Sequence, residues 1–84
     1  MEQEIREIAS KYFLTRRLLN KILSILQNGN WYAVSEITQQ VGYSYSTVYR
    51  YIRILIQEDM LEKNYKEVEG RRGKRKKLFV RLKR

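Results

Sequence analysis

The 84 residues carry 18 Lys and Arg against nine Asp and Glu, a net charge of +9, with 43% hydrophobic residues and neither Cys nor His. One small domain of this length buries only roughly 60 to 65% of its unfolded surface, which excludes a large enclosed active site, while its apolar content excludes a disordered chain. Without Cys or His there is no disulfide framework, no thiolate metal site and no common general base, so the sequence is read as a non-enzyme that calls for no cofactor, metal or small-molecule ligand.

Ile5, Ile8, Ala9, Tyr12 and Phe13 recur at helical spacing with Glu4, Arg6, Glu7 and Lys11 on the other side, predicting an amphipathic helix over 2–13. Thr15 is placed to N-cap a second helix, with Leu14 and Leu19 as a hydrophobic staple and Leu18, Leu19, Ile22, Leu23 and Leu26 as its apolar stripe. Asn28-Gly29 ends it; since no Gly or Pro interrupts 2–27, a single continuous helix is the alternative.

"NWYAV" lacks helical periodicity and suits a short extended segment, with Trp31 as a core anchor. Ser35 then stands as N-cap of a two-turn helix carrying Ile37 and Val41 and stopped by Gly42. Ser44 caps a longer helix, over 44–58, whose Val48, Tyr51, Ile52 and Leu55 share one face. Two helices joined by a tight Gly turn form a helix-turn-helix. After Asp59 the period changes: Leu61, Lys63, Tyr65 and Lys66 to Val68 read as one extended strand, Leu78, Val80 and Leu82 alternate along another, and "EGRRGK" between them reads as a turn. The hairpin has a basic tip, and Lys83 and Arg84 read as tail.

The stretch "VSEITQQVGYSYSTVYRYIRILIQEDMLEK", Val34 to Lys63, resembles the winged helix-turn-helix domains of small prokaryotic, archaeal and archaeal-virus transcription regulators. Ser35, Ile37, Gly42, the run Ser44 to Arg50, and Asp59 to Lys63 stand where that family has its first-helix cap, apolar residue, turn glycine, recognition-helix opening and step into the wing. The resemblance implies an α+β fold: a three-helix core with a C-terminal two-stranded β-hairpin wing over 15–84, preceded by an extra helix over 1–14. It departs from the family at Asp59, where a glycine is usual, and at Ile54 and Ile56, where polar residues are common; Ile54 is expected to point away from the core.

Nine of the last fourteen residues are Lys or Arg and none is acidic, whereas residues 1–70 are balanced, so the basic pole implies a polyanionic partner, nucleic acid before a membrane. No apolar run approaches the roughly 18 residues that span a bilayer, and the acidic start is unlike a secretory signal, so a cytoplasmic protein without a membrane partner is expected. One hundred degrees per residue puts Ser46, Tyr49, Arg50, Arg53 and Gln57 opposite the buried face, on a helix that B-DNA's major groove, about 12 Å wide, admits.

The candidate contacts to double-stranded DNA are therefore Ser44, Tyr45, Ser46, Thr47, Tyr49, Arg50 and Arg53 on the recognition helix. The resemblance adds Ser35, Thr38 and Gln39 in the first short helix, where Ser35 as a plain N-cap is an equal reading. The wing contributes Arg71, Arg72, Lys74, Arg75, Lys76 and Lys77, on phosphates or in the minor groove. Ile5, Ile8, Tyr12 and Phe13 form a face that this small core does not need, predicting a homodimer interface that Ile54 and Ile56 extend; packing within the chain is the alternative. The expected function is sequence-specific transcription regulation; the rivals are a nonspecific architectural nucleic-acid binder and a winged helix that binds RNA or protein.

Overall fold

A computed structural model of the chain describes residues 2–83. Its helices are α1 (Glu2–Tyr12), α2 (Arg16–Ile25, continued by a short 3-10 turn over Leu26–Asn28), α3 (Val34–Val41) and α4 (Tyr45–Gln57). Its strands are β1 (Tyr32–Ala33), β2 (Leu61–Gly70) and β3 (Gly73–Leu82), in one antiparallel sheet of order β1-β3-β2. This is a winged helix-turn-helix preceded by one extra helix. Among the described residues no helix is long and apolar enough to cross a membrane.

The core follows the two periodicities in the sequence. Leu18, Leu19, Ile22 and Leu26 of the α2 segment meet Ile37 of α3, Val48, Ile52 and Leu55 of α4, and Val80 of β3, all fully buried in one cluster. The "NWYAV" segment is strand β1, which pairs Tyr32 with Val80 and Ala33 with Phe79 and so docks the sheet onto the helices. Trp31 is only half-buried, with the Arg81 guanidinium 4.7 Å from its ring centroid.

α1 and α2 are two helices. The chain breaks at Phe13, whose φ of 58° is left-handed, while the Leu14 amide bonds back to the Ala9 carbonyl at 2.8 Å. That closure normally uses glycine, because an L side chain in this conformation costs about 1 kcal/mol. Asp59 closes α4 the same way, at φ 64°, with its own amide on the Ile56 carbonyl and the Met60 amide on Leu55. Thus Asp59 takes the glycine's conformation at the end of the recognition helix.

Two of the three expected helix caps change. Thr15 is at the N-cap position, but its side chain does not cap; its amide donates to the Tyr51 hydroxyl at 3.0 Å. Ser35 is not the cap of α3: the cap is Ala33, two residues earlier, the helix begins at Val34, and the Ala33 amide donates to Glu36 Oε1 at 3.0 Å. Only Ser44 caps as expected, its Oγ accepting the Thr47 amide.

The predicted interface on α1 also changes. Ile5 and Ile8 are buried in the same core as α2 and α4, so packing within the chain uses them. Tyr12 is half-buried and donates to Glu58 Oε2 at 2.8 Å, which, together with Lys11 at 3.4 Å, draws the Glu58 carboxyl below its ordinary range despite the cost of desolvation. Ile54 and Ile56 are half-buried against the core, correcting the outward orientation expected of Ile54. Phe13 alone of the four remains open, at 92% exposure.

The wing is longer than its sequence pattern. β2 and β3 run ten residues each and close through the two-residue turn Arg71-Arg72, with Gly73 at φ 105°. Leu78 and Val80 are buried and Leu82 is partly buried, as their alternation requires. Lys83 is not tail: its amide bonds the Met60 carbonyl at 3.0 Å and its ammonium pairs with Asp59. Arg84, the rest of the expected tail, lies outside the described residues.

Candidate nucleic-acid interface

α4 is oriented by its buried row of Val48, Tyr51, Ile52 and Leu55 and by the turn before it, where Gly42 at φ 76° ends α3 and its amide bonds the Thr38 carbonyl. Ser46, Arg50, Arg53 and Gln57 are exposed on the opposite side, as the helical wheel predicts. Thirteen helical residues extend about 20 Å, enough to follow the major groove over several base pairs.

The candidate contacts on α4 are not equivalent. Ser44 and Thr47 are joined, Ser44 Oγ donating to Thr47 Oγ1 at 2.9 Å while accepting the Thr47 amide, so both hydroxyls serve the cap. Tyr45, Tyr49 and Arg53 form one row at intervals of four. The two rings stack with centroids 5.9 Å apart, and Arg53 donates to the Tyr49 hydroxyl at 3.3 Å with its guanidinium 5.8 Å from that ring. Arg53 is therefore held toward the wing, close enough to Tyr65 for an electrostatic interaction. Arg50 has its guanidinium 6.0 Å from the Tyr51 ring and projects from the exposed face. Among the described residues no carboxylate pairs with either arginine.

Between α4 and the wing runs a groove lined by Val34, Ser35, Tyr45, Tyr49, Tyr65 and the β3 segment Arg75 to Leu78. It brings together the first short helix, the recognition helix and the wing, three elements that are apart in sequence. Ser35 lines it, Gln39 is exposed outside it, and Thr38 spends its hydroxyl on the Val34 carbonyl at 2.8 Å. Tyr65 lines the groove although the sequence reading does not include it among the candidates. Its signal was its place in the alternation, two residues after Lys63 and four after Leu61, which puts it on the helix-facing side of β2 and opposite Leu78.

The six basic wing residues divide by register. Lys74 is directly opposite Glu69 and Lys76 opposite Glu67, so a carboxylate faces each; Arg75 is opposite Val68 and Lys77 opposite Lys66, a like-charge pair. Arg71 and Arg72 occupy the turn. Arg71, Arg72, Arg75 and Lys77 have no carboxylate opposite them in the register, and among the described residues none of the six has one within ion-pair distance. Chemically the assembly offers phenol and hydroxyl donors, two helix arginines and a basic ribbon, a set suited to phosphate and base edges.

A family model described as "Bacterial regulatory protein, arsR family" matches residues 19–63, from α2 through the helix-turn-helix into β2. No curated protein matches the chain. Among solved structures, one titled "Possible transcriptional regulator from Methanosarcina mazei Go1" aligns with a TM-score of 0.73 at 19% sequence identity, over 98% of this chain and 65% of that one. At that identity the likeness is one of fold, and this chain spans about two thirds of that structure's length.

Proposed function

The chain belongs to the arsR family of bacterial regulatory proteins, a family of DNA-binding regulators and not of enzymes, and from that premise we propose that it regulates transcription by sequence-specific binding to double-stranded DNA. α4 enters the major groove, where Arg50 and Ser46 meet base edges. Arg53, Tyr45 and Tyr49 meet the backbone strand running through the groove toward the wing, and Ser35, Gln39 and Tyr65 border that strand. Ser44 and Thr47 act indirectly, by fixing the start of the helix. The observation that supports this most strongly is the convergence of α3, α4 and the wing on one groove whose basic side chains have few carboxylate partners.

Arg50 supplies the test. Its exchange for Ala should weaken the preferred duplex about tenfold to a hundredfold and flatten the discrimination at one base pair, because a bidentate arginine contact distinguishes bases by roughly 1 to 3 kcal/mol. Competition binding with single-base variants of the preferred site measures this. Equal loss on every sequence would make Arg50 a phosphate contact. A nonspecific architectural role is the second reading, favoured by the charge of the wing exceeding that of α4. It predicts a specificity ratio below about tenfold over random duplex.

The same proposal includes a homodimer, now resting on Phe13. This ring is exposed and held in a left-handed backbone that costs about 1 kcal/mol, and its contact with a second copy offsets that cost. Phe13→Gly should therefore have two separable effects. In dilute solution, where the chain is monomeric, denaturant unfolding should show a gain of about 1 kcal/mol. At micromolar concentration, sedimentation should report a monomer where the parent protein is dimeric. A parent protein that is monomeric at that concentration counts against the dimer.

A further inference from the structure

We infer that the exposed strip of α2 bearing Arg17 and Lys21, with Tyr43 beside it, is a second grip on the DNA backbone, on the flank of α4 away from the wing. The inference rests on the duplex-binding reading and extends it to Arg17 and Lys21 of α2, which lie outside the helix-turn-helix and wing.

The strip is basic by construction. No Asp or Glu occurs between Glu7 and Glu36, an interval that holds Lys11, Arg16, Arg17 and Lys21. Arg17 and Lys21 stand four residues apart on the face of α2 opposite Leu18, Leu19, Ile22 and Leu23, so two like charges repel along one exposed row. Among the described residues neither has a carboxylate within ion-pair distance. Among the described residues folding gives this pair no anionic partner, whereas a polyanion would.

Position identifies the polyanion. The Lys21 ammonium lies 6.0 Å from the ring of Tyr43, an exposed residue just before the cap of α4. Nearly two turns away, at the N-cap of α2, the Thr15 amide bonds the Tyr51 hydroxyl, and the Arg50 guanidinium is 6.0 Å from the Tyr51 ring. The strip therefore runs beside α4 from Tyr43 to Tyr51. The row Tyr45, Tyr49 and Arg53 marks the other flank, which borders the wing. A helix seated in a major groove has one sugar-phosphate backbone on each side. The wing serves one of these backbones, and the α2 strip is in place to serve the other.

The experiment uses the full chain with Arg17→Gln and Lys21→Gln combined, changes that keep helix propensity and length. Two lost phosphate contacts should make the slope of log affinity against log salt shallower by about 2 and lower duplex affinity roughly 30-fold at 0.15 M salt. The preferred sequence should be unchanged. Phosphate-ethylation interference should lose its signal on one backbone only, and the same assay on a variant with Arg71 and Arg72 neutralised should lose it on the other. If the parent protein binds duplex DNA and the double variant matches it in slope and interference pattern, the inference is overturned alone. A parent protein that binds no duplex overturns both this inference and the reading beneath it.

Discussion

Neutralising Arg71, Arg72, Arg75 and Lys77 together, by glutamine, is expected to lower duplex affinity about a thousandfold at 0.15 M salt. Each phosphate contact releases about 0.9 counterion, so four contacts contribute a slope of roughly −3.6 in log affinity against log salt, and the variant should lose that slope. These four are chosen by register. Lys74 and Lys76 stand opposite Glu69 and Glu67 in the register, which weakens the positive potential there, and the pair Lys74→Gln and Lys76→Gln should cost less than any two of the four. Fluorescence anisotropy on one labelled duplex at several salt concentrations measures all of these values. The ranking of sequences should survive, because base edges are read by α4. Equal effects from this pair and from a pair drawn from the four would mean that the register does not govern which charges reach DNA.

The second large effect concerns stability. Ile52→Ala should cost about 2 to 5 kcal/mol, since Ile52 is fully buried in the middle of α4 at the centre of the single core. A domain of this size has a total stability of only about 4 to 12 kcal/mol, so the loss is a large part of the whole. Thermal unfolding followed by circular dichroism should show a midpoint lower by about 10 °C or more, while Ile52→Val should lose only about 0.5 to 1.5 kcal/mol. DNA binding by the Ala variant should fall only in proportion to the folded fraction. A small shift would mean that the core collapses around the missing atoms.

Much of this architecture is written locally. Ser44 has a cap residue's chemistry, Gly42 a turn residue's, and the alternation of Leu78, Val80 and Leu82 separates a packed strand from a loose basic tail. Those features specify backbone conformation within a few residues, which is why they can be recognised without a partner. The break at Phe13 has no such signal, because nothing local distinguishes an aromatic that continues a helix from one held left-handed by the closure of Leu14 onto Ala9. The cap of α3 is Ala33, two residues before the expected Ser35: a serine suggests a cap, whereas the Glu36 side chain satisfies the Ala33 amide instead.

The site was legible in part for the same reason. Periodicity places Ser46, Arg50 and Arg53 on the open face of α4, since that depends on one helix alone. It does not place Tyr65 beside Tyr45 and Tyr49, nor Lys21 beside Tyr43, because those neighbours come from the packing of separate elements. A count of charge along the chain likewise assigns the whole excess to the last fourteen residues. In the fold, α2 and α4 also present a basic surface, because the acidic residues that balance them in the count lie on α1, on α3 as Glu36, at the end of α4 and along β2.

The central claim, that α4 and the wing together bind duplex DNA with sequence preference, is tested most directly by selecting bound duplexes from a random pool with the full chain at 0.15 M salt. The account predicts a short enriched motif bound at least about tenfold more tightly than the starting pool, with retention that falls steeply as salt is raised. A pool that emerges with its sequences unchanged, or retention indifferent to salt, would contradict it.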